Sequence, residues 1–177
     1  MNVDHVLIRR LVGKPHVVHI KAMAMEAMND ASMLAGLFRI IYSGDDSLRW
    51  RAAWVIEKVC DKNPSLVSSE RKKLVAMLLG NTPSDGLSRL LLSILHKLPE
   101  DEEFDVAFFN YLIGTMVDMK ATSGVQALAM KLADRISRKE PELHREFLCI
   151  VRAMELEYYT AGVCSVIRSC LRKYKNE

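Results

Sequence analysis

An all-α fold of stacked helical hairpins is what this sequence predicts, on three observations. Apolar residues recur at helical spacing along most of the 177 residues, and no segment alternates with period two over a useful length. Short Gly, Pro, Asn and Asp clusters interrupt that pattern about once per helix length. The composition is 50% hydrophobic but only 7% aromatic, so the interior draws on Leu, Ile, Val, Ala and ten Met, a mixture that favours helices.

In chain order, two helices are expected near 3–12 and 16–28, with later helices divided by turns at "SGDDS" (43–47), "DKNPS" (61–65), "GNTPSDG" (80–86), "LPEDEE" (98–103), "KATSG" (120–124), "RKEPE" (138–142) and "YTAG" (159–162). Pro64 and Pro141 suit a first helical turn, where no backbone donor is needed, with Asn63 or Glu140 before them as caps. The carboxylates of "EDEE" (100–103) read as a helix start, stabilised by the positive end of the helix dipole.

Self-comparison reveals a repeat. The segments "DGLSRLLLSILHKL", "SGVQALAMKLADRI" and "AGVCSVIRSCLRKY" align without gaps; Gly86, Gly124 and Gly162 are spaced by 38 and 38, and Leu48 lies 39 before Leu87. The preceding helices repeat as well, with Leu74, Leu112 and Ile150 spaced by 38. Two helices per unit of about 38 residues is the period of a helical-hairpin solenoid. The glycines open each second helix, where they allow a tight turn or a close approach between repeats.

On these residues the chain resembles HEAT repeats and the related armadillo type. Asp46, Leu48, Arg49, Ala52, Ala53, Val55 and Ile56 fit the family pattern of a second helix, whereas Ser88, Gln126 and Cys164 stand where the other units would carry the Arg. The resemblance implies a right-handed α-α superhelix, with a divergent N-terminal pair (1–29) and four repeats (30–62, 63–100, 101–139 and 140–177) in one domain. It also implies that the second helices line a concave face.

The two tryptophans, Trp50 and Trp54, share one helix. Stepping about 100° per residue from Ala52 puts Leu48, Val55, Ile56 and Val59 on one apolar stripe, with Trp50, Trp54 and Glu57 about 140° to 200° away on the opposite side. The indoles are therefore either groove anchors beside a carboxylate or are covered by the N-terminal pair. The repeat register extends Glu57 into a polar row with His96, Asp134 and Arg172, and stacks Lys58, Lys97, Arg135 and Lys173 as a basic column. Such a column is a solvated flank or a track for an acidic peptide or phosphate backbone.

A net charge of +3 does not by itself point to nucleic acid. No apolar run reaches 18 residues, and the N-terminal stretch has an Asp and two Arg within its apolar part and no small-residue cleavage site, so neither a membrane span nor a signal peptide is expected. Cys60, Cys149, Cys164 and Cys170 form no C-x-x-C pair and read as buried or partly buried free thiols of a cytoplasmic protein. His16 and His19 lack a third ligand at matched spacing, and no nucleophile elbow, phosphate loop or dinucleotide fingerprint occurs, so neither metal, cofactor nor catalytic residue is expected. The expectation is a non-catalytic scaffold that binds a protein or peptide on its concave face. Its alternative is nucleic-acid binding of the kind seen in HEAT-like alkylpurine DNA glycosylases, which hold a cationic lesion with tryptophans and an acid.

Overall fold

The computed structural model describes residues 3–13, 16–80, 83–99 and 103–174, and among them every regular element is helical. The chain forms two compact units, residues 1–99 and 100–177. The first holds α1 (Val3–Leu11), α2 (Val17–Asn29), α3 (Ala31–Ser43), α4 (Asp46–Cys60), a 3₁₀ stretch (Pro64–Glu70), α5 (Arg71–Gly80) and α6 (Asp85–Lys97). The second holds α7 (Val106–Val117), α8 (Ser123–Ser137), α9 (Pro141–Ala153), a 3₁₀ turn (Leu156–Tyr158) and α10 (Ala161–Lys173).

In the first unit α1 packs on α3 and α2 on α4, and α4 is also flanked by α6, so the second helices stand side by side as α2, α4, α6. The core is aliphatic: Leu11, Ile20, Met23, Leu37, Ile41, Ile56, Leu74 and Leu90 are all but inaccessible to water. In the second unit α8 is flanked by α7, α9 and α10, around Leu112, Met116, Met130, Phe147, Val151 and Val163. No helix of the described residues is long and apolar enough to cross a membrane.

Helix starts differ from expectation in their chemistry. Asp30 accepts from the backbone N–H groups of Ser32 and Met33, Asp45 from Leu48, and Asp105 from Phe108, at 2.9 to 3.1 Å. Pro64 and Pro141 do open their helical segments, yet neither Asn63 nor Glu140 makes a side-chain cap bond. The helix after "EDEE" begins at Val106 and is capped by Asp105; Glu103 precedes it in a bend, and positions 100–102 lie outside the described residues.

The position at which three units replace the family Arg keeps its physical task. Arg49 Nε donates to the Ile41 carbonyl at 3.1 Å, reaching back eight residues to the end of α3. Gln126 Nε2 donates to the Asp118 carbonyl at 2.9 Å, also eight residues back, and the Cys164 thiol reaches the Leu156 carbonyl at 3.3 Å over the same separation. Ser88, with a shorter side chain, donates to the Pro83 carbonyl at 3.1 Å, five residues back. Each donor satisfies a carbonyl at the end of the preceding helix or in the turn after it, one of the acceptors that a helix end leaves open. The guanidinium, hydroxyl, amide and thiol differ as letters and agree as donors.

The glycines divide. A Cβ on Gly86 would meet Trp50 Cδ1 and Nε1 at 3.1 Å, so this glycine exists to seat an indole. At Gly162 the nearest atom, Thr160 Oγ1, is 4.0 Å away, and no described glycine has a positive φ. Close approach therefore explains Gly86, and nothing in the packing requires Gly162.

Two outcomes follow for denaturant unfolding. Gln126→Ala removes the donor to the Asp118 carbonyl and should cost about 0.5–1.5 kcal/mol, the net worth of an ordinary hydrogen bond at a partly buried site. Gly86→Val should destabilise and shift tryptophan emission, whereas Gly162→Ala should be neutral or stabilising by up to ~1 kcal/mol, since Ala favours a helix over Gly. Equal effects at the two glycines would contradict the assignment of Gly86 to the indole seat.

Candidate functional site

Trp50 and Trp54 lie one turn apart on α4, their ring centroids 5.3 Å apart and their planes tilted by 45°. Both are half-buried. Helices α1 and α2 pack against α4, where Arg51 Nη1 donates to the Leu11 carbonyl at 2.6 Å. Trp50 rests on Gly86 at the start of α6. Trp50 is thus held against the start of α6, and Trp54 lies against Trp50.

Farther along, the side of α4 that meets α6 is ionic. Glu57, one turn beyond Trp54, is only 8% exposed. Ser93 Oγ donates to its Oε1 at 3.1 Å, Lys97 pairs with the same oxygen, and Lys58 Nζ lies 2.8 Å from Oε2. Asp61 extends the cluster by pairing with Lys97 and, at 3.0 Å, with Lys58. Burial pushes the Glu57 carboxyl up, but the hydrogen bonds and charges of Lys58 and Lys97 outweigh it and leave the group below the usual carboxylate range. Asp61 is lowered by the same balance of burial against the two lysines. Glu57 is buried because an inner second helix has neighbours on two flanks, and a helical wheel drawn for one apolar stripe omits the α6 side.

Ser93, which matches Trp54 in repeat register, is itself buried against Glu57. His96 is half-buried near the end of α6.

The second unit builds a similar cluster. Asp134 on α8 is 3% exposed; Arg138 pairs with it, and Lys173 Nζ and the donating Tyr174 hydroxyl on the far end of α10 each lie 3.4 Å from its carboxylate. Ser137 Oγ donates to the Asp134 carbonyl at 3.2 Å and meets His144 Nδ1 at 2.9 Å, and the His144 ring stands edge-on to Tyr174 at 4.4 Å. Arg172 is exposed, on an open depression with Ser165, Arg168 and Leu171. Arg135 is half-buried on α8.

The polar row and basic column are thus not two parallel tracks. In each unit the buried acid of one second helix takes the basic-column residue of the next: Glu57 with Lys97, 40 residues on, and Asp134 with Lys173, 39 residues on. The recurrence is visible in the sequence as an acid followed one repeat later by a lysine, and it emerges when the two columns are read together rather than separately. Asp61 and Ser93 belong to the first cluster, and Arg138 and Tyr174 to the second; none of these four is among the candidate site residues that the sequence offers.

Of the four cysteines, Cys60, Cys164 and Cys170 are buried and Cys149 is exposed, and none forms a disulfide. Burial pushes the Cys60 thiol up to about 12 and the Cys170 thiol up to about 11, which keeps both protonated and unreactive. His19 Nε2 lies 3.2 Å from the Arg10 carbonyl, and no group of three metal-ligating side chains lies together among the described residues.

A family model for the HEAT repeat domain matches residues 7–174, so the chain belongs to the HEAT-repeat family. No curated protein and no solved structure gives a significant match. HEAT repeats are in general scaffolds for protein interactions.

The ionic cluster sets a pH dependence. Glu57 and Asp61 have folded values below their unfolded ones of about 4, so their stabilisation is fully present above the unfolded values and is lost as pH falls from there through the lower folded ones. The melting temperature should drop on acidification from pH ~6 to ~3, and less steeply in Glu57→Gln, which has no proton to take up at that site. Parallel curves for the two proteins would show that Glu57 carries no linkage.

Proposed function

We propose that this chain is a non-catalytic binding protein that holds a protein or peptide on the second-helix face of its first unit, with Trp50 and Trp54 as anchors. The observation that carries the reading is an adjacent, half-buried indole pair whose inner member is seated on a glycine. Rigid aromatics lose little side-chain freedom on binding and are enriched among the residues that dominate interface energies. The scaffold we read as a divergent pair over 1–29 followed by repeats over 30–62, 63–100, 101–139 and 140–177. The N-caps of α4, α6, α8 and α10 at Asp45, Ser84, Thr122 and Thr160, spaced by 39, 38 and 38, support that division.

Two features weigh against the other readings. A glycosylase-like site needs a carboxylate beside the indoles to receive a cation, and Glu57 is already neutralised by two lysines and a serine hydroxyl. A phosphate track needs available cations, and Lys58, Lys97 and Lys173 are each paired with a carboxylate. The free thiols suit a reducing, cytoplasmic setting.

The test is Trp54→Ala. Because the indole is not fully buried, the substitution should cost less than the roughly 3–5 kcal/mol of a fully buried aromatic. It should also abolish capture of a specific partner from native extract, with wild-type emission red-shifted and quenched by iodide. Unchanged capture, or blue-shifted emission that iodide does not touch, would remove the anchor and leave only the fold.

A further inference from the structure

The last helix carries charge that nothing on it balances. Over Ala161–Lys173, α10 has three cations, Arg168, Arg172 and Lys173, and no acid. Lys173 is taken by Asp134, which Arg138 also holds. Among the described residues neither Arg168 nor Arg172 pairs with a carboxylate, and both are exposed. Glu155 and Glu157 come before the helix starts, whereas Arg168 and Arg172 stand about 10 and 16 Å along its axis from the first residue. The partial negative charge at the helix end offsets roughly half a unit, against two guanidinium groups.

Their geometry is convergent. Ser165, Arg168 and Arg172 stand at i, i+3 and i+7, so they project from one face of α10, and with Leu171 they line the open depression there. Long side chains on a helix lean toward its N-terminus. Arg172 does so: its Nε donates to the Arg168 carbonyl at 3.4 Å, which holds its guanidinium against the preceding turn. Among the described residues its two Nη groups make no hydrogen bond. Two like charges and a hydroxyl therefore share one face with no anion between them.

We propose that this face of α10 holds the phosphate of a phosphorylated side chain on a partner segment. Each guanidinium presents paired N–H donors in a planar fork that matches phosphate oxygens, and Ser165 adds a hydroxyl. A carboxylate brings one charge and two oxygens, and a single guanidinium satisfies it. A phosphomonoester brings nearly two charges and three acceptor oxygens, enough for both arginines. A nucleic-acid backbone brings one charge per phosphate along its length, and its binders need cations along a track rather than at one point. Sites for small metabolites are concave and bury most of the ligand, whereas this depression is open and Leu171 is the apolar residue among those that line it. An open floor fits a side chain delivered by a segment that crosses the helix. The site stands on the second unit and draws nothing from the indoles.

The experiment is binding of two fluorescent peptide pools to the full chain, with the same random flanks around a fixed central phosphoserine or a fixed central serine. The phosphoserine pool should bind tighter by about tenfold or more. Arg168→Ala/Arg172→Ala should remove that preference without lowering the melting temperature, because both side chains are exposed. Arg168→Lys/Arg172→Lys, which keeps the charge and loses the forks, should weaken the phosphoserine pool by an intermediate factor. Arg145→Ala/Arg152→Ala on α9, an equal loss of charge on the same unit, should bind as wild type does. Equal binding of the two pools, or a preference that survives Arg168→Ala/Arg172→Ala, would overturn the proposal. An equal loss in the α9 variant would overturn it too, by reducing the effect to net charge. Inorganic phosphate or adenosine monophosphate bound as tightly as the phosphoserine pool would replace the segment with a free phosphate, and tighter binding of duplex DNA would replace it with a nucleic acid.

Discussion

A side chain in the first turn of each later second helix donates a hydrogen bond back to the end of the helix before it, or to the turn between, and the hairpins depend on that contact. A first helix ends with carbonyls that its own ladder cannot satisfy; Asp118 and Leu156 are exposed, whereas around Ile41 and Pro83 the carbonyls lie away from water. Leaving such an acceptor unmet costs more than an ordinary hydrogen bond gains. Arg49, Ser88, Gln126 and Cys164 meet this demand with four different functional groups, and reach decides which acceptor is used. Three of them span eight residues; serine, too short for that, turns to a carbonyl of the loop. The constraint selects a donor at a place, not a particular amino acid, and so a family signature can fade while the joint it maintains persists.

The second constraint acts between neighbouring second helices. Stacking brings their inner flanks out of water, and a polar group there needs a partner on the next helix. Glu57 with Lys97 and Asp134 with Lys173 solve this in the same way in the two units, each acid helped by a cation from its own helix, Lys58 or Arg138. These clusters locate the helices laterally and specify which residues meet, since a slip of one turn would bury an unpaired charge. They also consume most of the charge that the sequence pattern sets on these helices, so the surface left for a ligand is smaller and less basic than a count of lysines implies.

Fold class was legible because it rests on periodicity, which survives degeneracy: helical spacing, a 38-residue repeat, and turns near every expected break. The two N-terminal helices fall within a residue of their expected limits for the same reason. What was not legible depends on a neighbour's identity. Glu57 reads as outward-facing on a wheel with one apolar stripe, and becomes buried only when α6 is placed on its flank. Gly86 and Gly162 look equivalent in register, and differ because only one of them has an indole above it. Asn63 and Glu140 are capping residue types at capping positions, yet a cap bond needs a side-chain torsion that spacing does not report.

The same distinction bears on where specificity resides. Positions that stacking controls carry similar residues in every repeat: Leu48, Leu87, Val125 and Val163 are all aliphatic. The position of Trp50 carries Arg89, Ala127 and Ser165 in the other repeats, and that of Trp54 carries Ser93, Lys131 and Ser169. Stacking imposes no common residue at either place. Trp50 nevertheless has a local structural role, because it fills the space that Gly86 leaves, and its burial against α6 accounts for part of its presence. Among the described residues Trp50 is the one aromatic ring in contact with Trp54, and the other repeats carry serine or lysine at that place. A large apolar side chain left partly accessible, at a place where the other repeats carry serine or lysine, is the feature on which the proposed binding role rests.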